Sequence, residues 1–187
     1  IDAIQRGSAT SIRVILPIFP YQRQDRKDYS RAPISSKMVA SFLETQGVDR
    51  VITFDLHAGQ IQGFFNRTRL DNIYTEPYFI HYINKEILNN ISTNQLVIVS
   101  PDEGGVKTAT RVAKKLNCSA SILYKERSQP GVVNKMVLMG DVKDKYCFII
   151  DDMIDTAGTA CKACDILLEN GATKVFIGAC HGILSDP

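Results

Sequence analysis

The sequence has no apolar run approaching the ~18–20 residues that cross a bilayer, so neither a membrane span nor a membrane partner is expected. It also has almost no net charge. A formal +2 over 187 residues is too small to argue for a nucleic-acid surface, so no nucleic-acid partner is expected and any basic function is local. A disulfide framework is missing too. Five cysteines, Cys118, Cys147, Cys161, Cys164 and Cys180, are odd in number and scattered, as free thiols in a reducing compartment would be. With no cleavable signal in view, a cytoplasmic location is expected. The opening on Ile1 rather than methionine fits a piece of a longer chain.

What is present is ordinary for a globular protein. Hydrophobic residues make up 44% and charged residues 22%, enough to build a real core in one domain or two small ones. Cys161 and Cys164 have the CxxC spacing of zinc and redox sites. A metal would want a second ligand pair, and Cys180-His181 is all that follows, so two small helix residues one turn apart is the reading adopted.

Short β-branched runs alternate with amphipathic stretches. Strands are expected at residues 13–16, 51–54, 96–99, 146–150 and 174–177. Met38, Val39, Phe42 and Leu43 recur at helical spacing before Gly47. Val106, Ala109, Val112, Ala113 and Leu116 do so next, and Cys161, Cys164, Asp165 and Leu168 before Gly171. Strands apolar throughout and interleaved with helices imply α/β architecture, a parallel sheet covered on both faces. Strand, acidic loop and helix occur once before Glu76-Pro77 and again after it, which places a domain seam there, with domains over residues 1–76 and 77–187.

The strongest local signal spans residues 148–159. An apolar strand ends in Asp151 and Asp152, passes through Asp155, Thr156, Ala157 and Gly158, and enters a helix at Thr159. Unpartnered N–H groups and the dipole of a helix start attract an anion. Thr156 and Thr159 add hydroxyls, and Gly158 allows a close approach. Paired carboxylates repel a phosphate but suit the 2′ and 3′ hydroxyls of a ribose, and open α/β sheets bind ligands at this end. The segment resembles the phosphoribosyl-diphosphate loop of type I phosphoribosyltransferase-fold proteins.

Residues 19–35 pack charges and aromatics between a strand and a helix. A charge run of this sort is usually a solvated loop, but Arg23 and Gln24 follow directly from a buried strand and can be held over a ligand. With its neighbours this stretch resembles ribose-phosphate diphosphokinase, the phosphoribosyl-diphosphate synthetase family. The matching segments are residues 21–35, Asp55-Leu56-His57-Ala58, residues 60–65, Ser100-Pro101-Asp102, Gly104-Gly105, Lys125-Glu126-Arg127, Gly140-Asp141-Val142, residues 151–159 and His181-Gly182. They occur in family order over nearly the whole chain.

That resemblance implies two tandem phosphoribosyltransferase-like domains, each a mainly parallel sheet flanked by helices. It implies transfer of the diphosphoryl group of MgATP to ribose 5-phosphate, giving phosphoribosyl diphosphate and AMP for nucleotide biosynthesis. By the same resemblance, Arg23, Gln24, Asp28 and His57 hold ATP. His57 and Asp102, with Asp55 as a further candidate, hold Mg2+. Asp102, Gly104 and Gly105 form a diphosphate-binding turn. Asp151, Asp152, Asp155, Thr156, Ala157, Gly158 and Thr159 bind ribose 5-phosphate. Lys125 and Arg127 are catalytic cations on a flap, and Ser30, Arg31 and Ser35 belong to a regulatory site. The expected assembly is a homo-oligomer, a hexamer of dimer units.

The chain also departs from the family. Residues 66–71 read as a loop given no metal role, Glu103 adds a charge beside the diphosphate turn, and family chains are longer at both ends. Two other functions are weighed: a non-catalytic regulatory relative in a mixed oligomer, and a phosphoribosyltransferase, which consumes the diphosphate sugar.

Overall fold

The computed structural model describes residues 1–126 and 135–185. The chain divides into two compact units, Ile1–Thr75 and Glu76–Pro187.

In the first unit, α1 (Asp2–Arg6) precedes β1 (Arg13–Leu16), α2 (Ser35–Thr45), β2 (Arg50–Phe54) and β3 (Arg69–Ile73). The strands form a parallel sheet in the order β1-β2-β3, with Val14 beside Val51 and Val51 beside Leu70. Parallel neighbours need a long crossover, which α2 supplies between β1 and β2. Gly47 stops α2 in the left-handed conformation that glycine adopts freely, at φ 69°. The core comprises Ile12, Phe19, Ala40, Val48, Val51, Leu56 and Ile61, with Val39 and Leu43 packed against it. Met38 and Phe42, counted with the helical pattern, are exposed instead: α2 turns Val39, Ala40 and Leu43 inward. Strand β3, in a stretch read as loop up to Asp71, begins at Arg69. Its sequence Arg69-Leu70-Asp71-Asn72-Ile73 lacks an apolar run because it borders the sheet.

The second unit runs α3 (Glu76–Tyr82), β4 (Leu96–Ser100), α4 (Val106–Leu116), β5 (Ser119–Glu126), β6 (Lys135–Met139), β7 (Tyr146–Ile154), α5 (Gly158–Glu169) and β8 (Lys174–Gly182). Its sheet has the order β6-β5-β4-β7-β8, parallel except for β6, which pairs antiparallel with β5. Alternation along the central strands shows why they are apolar throughout. Leu96, Ile98, Phe148 and Ile150 face a core shared with Ala109, Val112, Ala113 and Leu116 of α4. Val97, Val99, Cys147 and Ile149 face the opposite core, with Ala163 and Leu167 of α5. Both sheet faces are therefore covered, as a parallel sheet requires. The inward face of α5 is not the one its cysteine spacing pointed to, because Cys161 and Leu168 are exposed. No helix among the described residues is long and apolar enough to cross a membrane.

Strand β7 continues past the acids to Ile154, rather than ending at Ile150, because β8 runs beside it to Gly182 and extends the ladder. Strand order reverses between β4 and β7: the chain leaves β4 toward β5 on one side, and β7 returns on the other. Such a reversal opens a crevice at the carboxyl ends of the two strands.

Candidate functional site

At that crevice β4 delivers Asp102 just beyond its end, and β7 carries Asp151 and Asp152 within its last residues. The Oδ1 of Asp151 accepts the N–H of Asp152 at 2.9 Å. Burial, reinforced by a side-chain hydrogen bond with Asp152 and by the negative charges of Asp152 and Asp102, pushes the Asp151 carboxyl up to about 7. Two acids and a third nearby form a strongly acceptor-rich surface. Hydroxyl groups can donate to it, whereas a phosphate would be repelled.

Beyond β7 the chain turns sharply into α5. The residue that makes the turn is Ala157, in the left-handed region at φ 60°. Holding alanine there costs roughly 1–2 kcal/mol, a strain the surrounding structure absorbs. Thr156, Gly158 and Thr159 are exposed around the helix start. No side chain among the described residues caps it, so its first N–H groups face outward as an anion would require. The carboxylate of Asp155 accepts the Ser185 hydroxyl.

The turn after β4 is closed by its own hydrogen bonds. Gly104 and Gly105, assigned to present N–H groups to a diphosphate, donate them instead to Asp102 Oδ1, at 3.0 and 3.2 Å. Asp102 two residues ahead is ideally placed to accept both, so the turn is closed by its own side chain. The Ser100 hydroxyl donates to the Asp102 carbonyl at 2.6 Å, and a side chain at Gly105 would collide with that hydroxyl. Glu103 is exposed, its charge solvated.

In the first unit, Arg23, Gln24 and Asp28 are exposed on the segment after β1, and Asp28 pairs with Arg26 at 3.1 Å. His57 is exposed in the loop after β2. This loop is pinned along its length. Asp55, at φ 33°, accepts the N–H and hydroxyl of Thr75. Asn72 accepts the N–H of Leu56 at 3.1 Å, and Gln22 accepts that of His57 at 3.1 Å. Gln60 donates to Asp25. Both Asp55 oxygens are thus committed to Thr75. Sequence reasoning missed Gln22 and Asp25, which are buried within the charged run and hold the loop after β2. The signal available was their position immediately beyond Phe19, which is wholly buried.

Lys125 lies in β5 opposite Met136 of β6, in the antiparallel hairpin. Arg127 lies outside the described residues. Among the described residues no three His, Cys, Asp or Glu side chains form a metal-ligating cluster.

Residues 70–182 match the phosphoribosyl transferase domain, and residues 1–47 match the N-terminal domain of ribose phosphate pyrophosphokinase. The chain belongs to the ribose phosphate pyrophosphokinase family. It is 53% identical over 184 residues to ribose-phosphate pyrophosphokinase A of Dictyostelium discoideum, covering 98% of this chain and 56% of the relative. Ribose-phosphate pyrophosphokinase 3 of Saccharomyces cerevisiae is 50% identical over 185 residues, covering 99% and 56%. The chain spans about half the length of these curated relatives. Among solved structures it is similar to the phosphoribosylpyrophosphate synthetase of Mycobacterium smegmatis, with TM-score 0.89, 43% identity, all of this chain and 59% of that one. The expected α/β fold, parallel sheets flanked by helices, is therefore the fold of this family.

Proposed function

We propose that this protein is a ribose-phosphate diphosphokinase, transferring the diphosphoryl group of ATP to the anomeric hydroxyl of ribose 5-phosphate. The observation that carries this reading is the acid pair Asp151–Asp152 next to the open start of α5, at the β4/β7 reversal. Asp151 and Asp152 accept the ribose hydroxyls, while the N–H groups and hydroxyls of residues 155–159 hold the 5-phosphate. Arg23, Gln24, Asp28 and His57 contact ATP. The anomeric oxygen attacks the β-phosphorus as the bond to the α-phosphate bridging oxygen breaks, releasing AMP and the hydroxyl proton. Lys125 and Arg127 neutralise the charge spread over the phosphoryl oxygens, so no protein nucleophile is needed.

Magnesium fits the donor set present. A hard cation arriving on a triphosphate needs only one or two protein ligands beside phosphate oxygens and water. The family resemblance offers Asp102 as an oxygen ligand and the exposed His57 as an imidazole ligand, while Asp55 is engaged with Thr75. Bound with the nucleotide, the ion would offset phosphate charge and orient the transferred group. We assign the protein to the cytoplasm as a homo-oligomer, a hexamer of dimer units. The exposed apolar side chains of Ile15, Met38 and Phe42 support an assembly surface.

The test is incubation of the full-length protein with ribose 5-phosphate and MgATP. Stoichiometric AMP is expected. No AMP here, but release of diphosphate when phosphoribosyl diphosphate and a nucleobase are supplied instead, would identify a phosphoribosyltransferase, and absence of product in both incubations would identify a regulatory relative.

A further inference from the structure

The segment after β1 holds a side chain that the proposed chemistry does not use. Gln22 is 2% exposed, against a core that includes Phe19. Its Oε1 accepts the backbone N–H of His57 at 3.1 Å, across 35 positions of sequence. Its Nε2 is buried without a hydrogen-bond partner among the described residues. A buried primary amide with one end unmatched is less favourable than an apolar side chain of the same volume. Reversing the amide would set a donor against the His57 N–H, so the oxygen's place is fixed.

We infer that Gln22 is a positioning residue for His57, locking the loop after β2 to the segment that carries Arg23 and Gln24. This rests on the proposed assignment of His57, Arg23 and Gln24 to the nucleotide. The tie meets the loop just after it leaves β2 through Asp55, whose left-handed backbone only a well-fixed surrounding holds. A second tie, from Gln60 to Asp25, crosses between the same two segments. Gln22 is buried, so it acts on the nucleotide through His57 and the adjoining Arg23 rather than by contact. One amide therefore sets two exposed groups in a common frame, and a ligand meeting both finds them already ordered.

The test uses full-length protein, calorimetric titration with MgATP in the absence of sugar, and thermal melting. Gln22→Met keeps the volume and removes both the acceptor and the orphan donor, with Gln22→Leu as a second variant should the first fold poorly. Melting temperature is expected to be unchanged or raised, while MgATP affinity falls about tenfold, at the lower end of what orienting partners of ligating side chains contribute. Affinity for ribose 5-phosphate should not change. In a His57→Ala background the same substitution should add little further loss. MgATP affinity unchanged in Gln22→Met and Gln22→Leu but reduced in His57→Ala would overturn the positioning role and leave the proposed function standing. Unchanged affinity in His57→Ala itself would remove His57 from the nucleotide site, and this inference with it.

Discussion

Asp151 and Asp152 are consecutive residues of one strand whose polar groups meet: the carboxylate of the first accepts the main-chain N–H of the second, while its own ionisation is opposed by burial and by its neighbour's charge. The Asp151 carboxyl is thereby held toward its protonated form, and that has consequences for stability.

Because folding raises the Asp151 carboxyl from its ordinary value to about 7, the native state binds more protons than the unfolded state between roughly pH 4 and 7. Stability from this site is fully present below that window and is lost as pH rises through it. Asp151→Asn should flatten this slope and stabilise the protein at pH 8, with little effect near pH 4. Denaturant midpoints across pH 4–8 measure it; an unaltered slope in the variant would rule out Asp151 as its source.

Glu76 is a different kind of acid. Burial alone would raise its carboxyl, but hydrogen bonds from Lys115 and Arg111, with their charges, win and hold it below the ordinary range. It ties the start of α3 to two successive turns of α4. Its contribution is present above the unfolded carboxylate range and disappears on acidification. Glu76→Gln should cost about 1–2 kcal/mol at pH 7, discounted because both cations are half exposed, and almost nothing near pH 3. Urea unfolding at the two pH values separates this from a pH-independent packing loss.

The left-handed Ala157 gives a conformational prediction. A β-branched side chain is excluded from that backbone region more strongly than alanine, so Ala157→Val should lower stability by about 1–2 kcal/mol. The distorted helix start should also weaken binding of ribose 5-phosphate. Ala157→Gly should be neutral or slightly stabilising, because relief of strain is partly offset by a freer unfolded chain. Melting curves with and without the sugar phosphate test both; equal behaviour of the two variants would mean that the turn is not under strain.

For the proposed transfer, Lys125→Ala should reduce turnover by ~10² or more with ribose 5-phosphate binding nearly intact, as expected for a charge that matters in the transition state. Steady-state kinetics combined with calorimetry distinguish this from a binding defect. Near-normal turnover would remove Lys125 from the mechanism.

Much of the fold is legible in the sequence where burial is two-sided. The Leu96-Val97-Ile98-Val99 and Phe148-Ile149-Ile150 runs have no polar face, and both faces are covered by helices. Gly47 and Gly171 mark helix ends because both take positive φ. Strands β3, β5 and β6 were harder to read. The first and last border their sheets, and β5 opens on Ser119-Ala120-Ser121, so none carries a continuous apolar signal. Glu44 shows the same limit among polar residues. On α2 it accepts the N–H groups of Arg67, Thr68 and Asn66, which hold its carboxyl down to about 2. Spacing names the acids and glycines around a site. Which donor an acid chooses depends on chain segments that only the fold brings near.

Asp102 has such a choice already made, and this sets a rule for whatever docks there. Gly104 and Gly105 cannot welcome an unescorted anion, since their N–H groups would have to abandon a carboxylate that would then confront the newcomer at close range. Only a guest that arrives with a cation, or with a proton, relieves that confrontation. Under the proposed assignment of this turn, selection would fall on the ion pair as a unit, the free polyphosphate being disfavoured by the same residue proposed to grip its metal complex.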